Sequence, residues 1–333
     1  MVMQTLKQNE MKVKHAQDPN YLTKGLKVVG EELNDIVDQS DAIIQDMIET
    51  LLKGGKKIRP RLVLLSGMCF NSLNEDMIHS AVSVELIHTA SLIHDDIIDM
   101  SDLRRNHPTI NHVHGDHTAV LTGDFLFAQA FDILALNNLN KSMSYFVKAI
   151  RDMCVGEIIQ AGRKFNPDLS ENEYIDYIGK KTSSLFSACC KAGAENSGAS
   201  EEYIHLMGCF GYNIGCAFQI IDDVLDITGS KKELGKPVAH DISEGNISLP
   251  YIYFCEDKKS KCKYNDILTG KNVSGYQLQN IMKDIIKSGA VTRARNKAEN
   301  YVKQAINTLM TIPSSIYRDI LINMSVETIN RNY

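Results

Sequence analysis

The sequence predicts an all-α protein, and three observations carry that prediction. Its seven prolines all fall where a helix can begin or end, and none interrupts an apolar repeat. Long apolar stretches show helical spacing with small residues interspersed. No stretch alternates apolar and polar residues in the manner of a strand.

In chain order, residues 1–20 read as a polar N-terminal segment and residues 21–333 as a single domain. Met1 to Pro19 lacks the apolar run of a signal peptide, and no stretch approaches the apolar length that spans a bilayer. A cytoplasmic protein with at most peripheral membrane contact is expected. Ala81 to Ile98 reads as a helix buried on most sides, with Ala81, Ser83, Ala90 and Ser91 as its small residues, and Gly123 to Leu139 repeats the pattern. Ser170-Glu-Asn-Glu173 has capping-box spacing, so a helix should start near Glu171. Glu256 to Gly275 is polar and lysine-rich and reads as a solvated connection.

Apolar residues make up 44% and charged residues 23% of the chain, which suffices for a globular core. A net charge of −5 argues against a general nucleic-acid surface. The eight cysteines include no Cys-x-x-Cys pair, so reduced, buried thiols are expected rather than a zinc site or disulfides.

The chemistry is concentrated in an internal echo. Ile93-His-Asp-Asp-Ile-Ile-Asp99 and Ile220-Ile-Asp-Asp-Val-Leu-Asp226 both carry Asp-Asp-x-x-Asp in an apolar helix. On a helix Asp95 and Asp99 share a face with Asp96 beside them, as do Asp222, Asp226 and Asp223. Carboxylates so close repel one another unless a cation neutralises them. A hard divalent ion such as Mg²⁺, which binds through one or two carboxylates and completes its shell with phosphate oxygens, meets that need. Basic residues group near these clusters: Lys56 and Arg59 follow a glycine pair, Arg104 and Arg105 follow the first cluster, and Lys181 and Lys236 flank the second. Their forks and point charges suit two diphosphates. His94 beside Asp95, and the group His112, His114 and His117, could suggest a histidine metal site, but such a site would not need a second acidic cluster.

From about Leu51 to Pro250 the chain resembles the trans-type polyprenyl diphosphate synthases. The motifs are Gly54-Gly-Lys-Lys-Ile-Arg-Pro60, Glu85 to Asp99, Arg104-Arg105, Gly123-Asp124, Gly156-Glu-Ile-Ile-Gln160, Lys181-Thr182, Phe218 to Asp226 and Gly235-Lys-Pro237. Glu244 to Pro250 and the ending Asn330-Arg-Asn-Tyr333 are similar to the large catalytic subunits of bacterial heptaprenyl diphosphate synthases. Asn106 and Asn246 depart from the glycine and lysine common in the family.

The resemblance implies an isoprenoid-synthase-type helical bundle around a deep central cavity. It assigns Lys56, Arg59, His88 and Arg105 to isopentenyl diphosphate, and Arg104, Lys181 and Lys236 to an allylic diphosphate. Asp95, Asp96, Asp99, Asp222, Asp223 and Asp226 become the ligands of Mg²⁺, three ions per site, while Thr182, Phe218 and Gln219 stand beside the reacting carbon and join Lys181 as the catalytic residues. The reaction implied is condensation of isopentenyl diphosphate with an allylic primer such as farnesyl diphosphate, giving a long all-trans chain for a quinone side chain. Ala90, Ser91 and Ser83, small and upstream of Asp95, imply products of about C30 to C50, with C35 the single best choice. A homodimer, or a heterodimer with a small regulatory subunit without which the chain is poorly active, is expected. A short-chain synthase of C15 to C20 products and a terpene cyclase are the rival readings.

Overall fold

A computed structural model describes residues 18, 20–52, 55–104, 107–229, 240–270 and 275–331. Helices dominate it, as the sequence predicts, and the one sheet among the described residues is a two-stranded hairpin. The chain divides into two compact units, each drawn from three stretches: Met1–Val147, Ala188–Gly208 and Ile312–Leu321 in the first; Lys148–Ser187, Cys209–Thr311 and Ile322–Tyr333 in the second.

The first unit opens with α1 (Asn20–Gln39), α2 (Ala42–Leu52), α3 (Ile58–Met68) and α4 (Glu75–Ile98). Helix α1 buries Leu22, Gly25, Val29, Leu33 and Val37, a stripe at helical spacing, and packs against α2, α3 and α4. Helix α4 begins six residues before the expected Ala81 because Asn74 caps it, accepting the Met77 N–H at 2.9 Å. The hairpin Leu103–Arg104 and His107–Pro108 follows, then α5 (Ile110–His114) and α6 (Asp116–Leu136). Helix α6 starts earlier than Gly123 and stops before Leu139, because Asp116 joins its first turn and Asn138 takes positive φ just past its end. Helices α4 and α6 lie along one another. Gly123 permits this: a Cβ there would stand 2.2 Å from the His94 ring nitrogen.

Four further helices come next, with the second unit beginning inside the first of them: α7 (Asn140–Ala161), α8 (Glu171–Ile178), α9 (Ser184–Asn196) and α10 (Glu201–Thr228). Ser170 and Glu173 form the expected capping box, so α8 begins at Glu171. Between α8 and α9 the ladder widens into a π turn, Gly179–Ser183. Short helices α11 (His240–Ser243) and α12 (Leu249–Cys255) lead to α13 (Lys258–Lys263) and α14 (Asn265–Leu268). The stretch expected to be a solvated connection therefore contains two helices. Asp257 caps the first, and Tyr264, Ile267 and Leu268 are buried, which the surrounding lysines obscure in the sequence. Helices α15 (Gly275–Ser288), α16 (Ala290–Leu309) and α17 (Ile316–Ile329) complete the chain. Helix α16 buries Ala290, Val291, Ala294, Ala298, Val302, Ala305 and Leu309 and packs on α12 and α15.

Two expectations need correction. Helices α6 and α10 are long and apolar enough, by length and composition, to cross a membrane. The aspartates Asp222, Asp223 and Asp226 near the end of α10 interrupt an otherwise apolar helix, which hid its length from a reading by runs. No disulfide joins the eight cysteines, but Cys154 and Cys262 are exposed and Cys209 is half-buried rather than buried.

Candidate active site

In the first unit, the site residues rest on α4, the loop before α3 and the hairpin. Asp95 and Asp99 are half-buried, with Asp99 closing the helix through its N–H to the Asp95 carbonyl at 2.9 Å. Asp96 is 5% exposed, and the Nε–H of Arg104 donates to both of its carboxylate oxygens at 2.8 Å. The hairpin that carries Arg104 is tied back by the Ser101 N–H to the Asp96 carbonyl at 2.8 Å and by the Thr109 hydroxyl to the Ser101 carbonyl at 2.6 Å. Arg105 and Asn106 lie outside the described residues.

The basic group is set by a residue that the sequence reading passed over. Lys57 adopts left-handed φ of 47°, unusual for a side chain with a Cβ. Its ammonium donates to the Leu52 carbonyl at 2.7 Å and pairs with buried Glu85 at 3.0 Å. Lys56 precedes it, exposed, Arg59 lies in the first turn of α3, and half-buried His88 stands three residues beyond Glu85 on α4. Glu85, a lone acid within an apolar run, is the signal that could have found this pair.

Ala90 and Ser83 are fully buried and Ser91 is half-buried. The serine hydroxyls donate to their own helix, Ser83 to the His79 carbonyl and Ser91 to the His88 carbonyl, each at 2.8 Å. Satisfied in this way, they present little polarity to an apolar neighbour. His94 packs on Gly123 and lies near the Val120 carbonyl and Asp124. Among the described residues no group of three or more His, Cys, Asp or Glu side chains is gathered to hold an ion.

In the second unit, three parts of one sequence motif meet Lys181. A Cβ at Gly156 would lie 2.5 Å from the Lys181 backbone nitrogen, Glu157 pairs with its ammonium at 2.5 Å, and Gln160 accepts from it at 2.7 Å. The Gly-Glu-x-x-Gln motif is thus the seat of the π turn. Gly215 allows the same closeness on the other side, where a Cβ would meet Ser183 at 2.5 Å. Lys181 and Thr182 are both held in this widened turn, a geometry frequent at functional sites.

From the turn a line of hydrogen bonds enters α10. The Thr182 hydroxyl donates to Gln219 Oε1 at 2.7 Å, Gln219 Nε2 donates to Asp223 Oδ1 at 2.9 Å, and the Tyr174 hydroxyl donates to Asp223 Oδ2 at 2.5 Å. Burial, with Asp241 nearby, pushes the Asp223 carboxyl well above the usual range, and burial raises the Tyr174 phenol too. Asp222 is more open and pairs at 3.1 Å with Arg331, whose guanidinium also lies 4.2 Å from the centre of the Phe218 ring. Phe218 packs on Phe186 at 5.3 Å. Asp226 accepts the Asp241 N–H at 3.3 Å. Lys236, with Gly235 and Pro237, and the final Asn332 and Tyr333 lie outside the described residues. Tyr174 and Arg331 were missed because distance in sequence hides their contacts with the second cluster.

Residues 41–285 match the family described as Polyprenyl synthetase. The chain is 35% identical over 314 residues to heptaprenyl diphosphate synthase component 2 of Bacillus subtilis, covering 94% of this chain and 89% of that one. It is 36% identical over 271 residues to geranylgeranyl diphosphate synthase of Sulfolobus acidocaldarius, covering 78% and 82%. Its fold is similar to the crystal structure of a polyprenyl synthase from Caulobacter crescentus complexed with calcium and isoprenyl diphosphate. That match has a TM-score of 0.88 at 30% identity, over 96% of this chain and 99% of that one.

Proposed function

Because the chain belongs to the polyprenyl synthetase family and is a prenyltransferase, we propose that it elongates an allylic diphosphate with isopentenyl diphosphate, using Mg²⁺, to a long all-trans product. The observation that carries this reading lies on α4. His88 precedes Asp95 by seven residues, about 10 Å along the axis, so one helix carries a histidine and an acidic face two turns apart on the same side. A cyclase has no second diphosphate for Lys56, Arg59 and His88 to hold.

Asp95 and Asp99, and Asp222 and Asp226, would hold the metal directly. Asp96 and Asp223, their carboxylates bound by Arg104 and by Tyr174 and Gln219, would keep each acidic face in place. The bound ions supply counter-charge to the departing pyrophosphate. Arg104, Lys181 and Lys236 would add cationic contacts to it. Thr182 offers oxygen lone pairs to that cation, with Gln219 behind it and the ring of Phe218 alongside. The double bond of isopentenyl diphosphate, whose diphosphate Lys56, Arg59, His88 and Arg105 would hold, then attacks, and the released pyrophosphate takes the proton lost from the new chain.

Buried Ala90 and Ser83 and back-bonded Ser91 support a growing chain that runs along α4, with C35 as the proposed product within C30 to C50. The B. subtilis relative is by its name one component of a heptaprenyl synthase, which supports a small partner subunit for this chain as well. Pairing through α6 is an alternative, since Val120, Leu121 and Leu136 are exposed on that helix. A cytoplasmic enzyme supplying quinone side chains is the setting we favour. The test is incubation with farnesyl diphosphate, labelled isopentenyl diphosphate and Mg²⁺, with and without small subunits of heteromeric synthases. Products of C30 to C50 support the reading, and products that stop at C15 to C20 in both conditions refute the long-chain assignment.

A further inference from the structure

We propose that Tyr174 is a positioning residue for prenyl transfer: through Asp223 and Gln219 it fixes the direction of the Thr182 hydroxyl, leaving lone pairs for the allylic carbon. The proposal rests on the reading of Thr182 as a neighbour of that carbon.

The argument follows from donors and acceptors along the line. Tyr174 is fully buried, and its single proton goes to Asp223 Oδ2. With that oxygen supplied, Asp223 Oδ1 remains an acceptor and takes an N–H from Gln219. A carboxylate oxygen facing the amide admits only its NH₂ end, so Gln219 Oε1 must face the other way, toward Thr182. Thr182 has one proton and spends it on Gln219 Oε1, so only lone pairs remain on its oxygen. An oxygen fixed in this state before the reaction stabilises developing positive charge without reorganising. Remove the phenol proton and Asp223 has an unmet oxygen inside the unit. No longer held by the phenol, the carboxylate can turn Oδ1 away from Gln219; the amide is then free to invert, and the Thr182 proton is freed to point at the cation, where its dipole opposes the reaction.

A purely structural role is the competing account, since Tyr174 also packs edge-on against Tyr177 at 5.3 Å. Tyr174→Phe preserves the ring and removes the donor. In the full chain, with any partner subunit it requires, kcat should fall at least about tenfold, while KM for both substrates stays within about threefold. The second readout is the rate ratio between an allylic diphosphate and its 2-fluoro analogue, in which fluorine disfavours the cation. That ratio should shift at least about threefold in Tyr174→Phe, whereas a merely structural loss slows both substrates alike. Thr182→Val should also be slow, and Tyr174→Phe/Thr182→Val should be no slower than Thr182→Val alone, within about twofold, because both act in one line. Multiplying effects, or an unchanged fluorine ratio, overturn the proposal. Thr182→Val at full rate overturns both the proposal and the reading of Thr182. A slow Thr182→Val beside a Tyr174→Phe of normal rate overturns the proposal alone. If Tyr174→Phe does not fold, replacing Tyr174 by 3-fluorotyrosine keeps the shape and strengthens the donor. A change in kcat of at least about twofold is then expected, and no change refutes the inference.

Discussion

Arg104 and Asp96 are joined side-on, with one guanidinium N–H shared between both carboxylate oxygens at 2.8 Å, and this contact fastens the hairpin to the end of α4. The Asp96 side chain is 7% exposed and that of Arg104 24%, so the carboxylate depends on its partner more than the reverse. Arg104→Leu should therefore lower stability by about 1.5–3 kcal/mol, since a buried carboxylate loses its hydrogen bonds from a charged partner. Urea unfolding checks this, and Asp96→Asn/Arg104→Leu should recover part of the loss.

Lys57 sets two effects against each other. Lys57→Gly relieves a left-handed conformation that costs about 1–2 kcal/mol, but strands buried Glu85 at a cost of about 3–5 kcal/mol. The second effect is larger, so the variant should unfold at lower denaturant. A Lys57→Gly protein more stable than the parent would show that the pair contributes little.

The two substrates should separate by mutation. Arg59→Ala should raise KM for isopentenyl diphosphate at least about tenfold, and Lys236→Ala should act mainly on the allylic substrate. Steady-state kinetics with each substrate varied in turn give the answer, and equal effects on both would refute the division.

Product length should respond to Ala90, which is buried five residues before Asp95. Ala90→Phe places a ring beside the path of the growing chain, and products should shift toward C15 to C20 while the first condensation continues. Chromatographic sizing checks this, and an unchanged distribution in an active variant removes Ala90 from the path.

The legible parts of this protein are those carried by short sequence spacings. The acidic clusters, the capping box at Ser170 and the helices around Asp95 and Asp222 all follow from residues within a turn or two of one another. Contacts between distant segments are not written that way. The joining of Lys57 to Glu85, of Tyr174 to Asp223 and of Arg331 to Asp222 depends on how helices come together, and no period signals it. Gly156-Glu-x-x-Gln160 was legible as a motif but not as the seat of Lys181, because a close backbone approach leaves only a glycine as its trace. Across residues 258–268, lysines outweighed Tyr264, Ile267 and Leu268, which the fold buries.

The central claim is that paired aspartates act through divalent metal on a diphosphate. Its most direct test is incorporation of labelled isopentenyl diphosphate by protein stripped of metal and then titrated with Mg²⁺, for the parent chain, Asp95→Ala and Asp222→Ala, each with any partner subunit it requires. The account predicts no incorporation before Mg²⁺ is added, recovery in the parent, and rates at least about a hundredfold lower in both folded variants. Incorporation by the stripped protein, or near-parental rates in either variant, would contradict it.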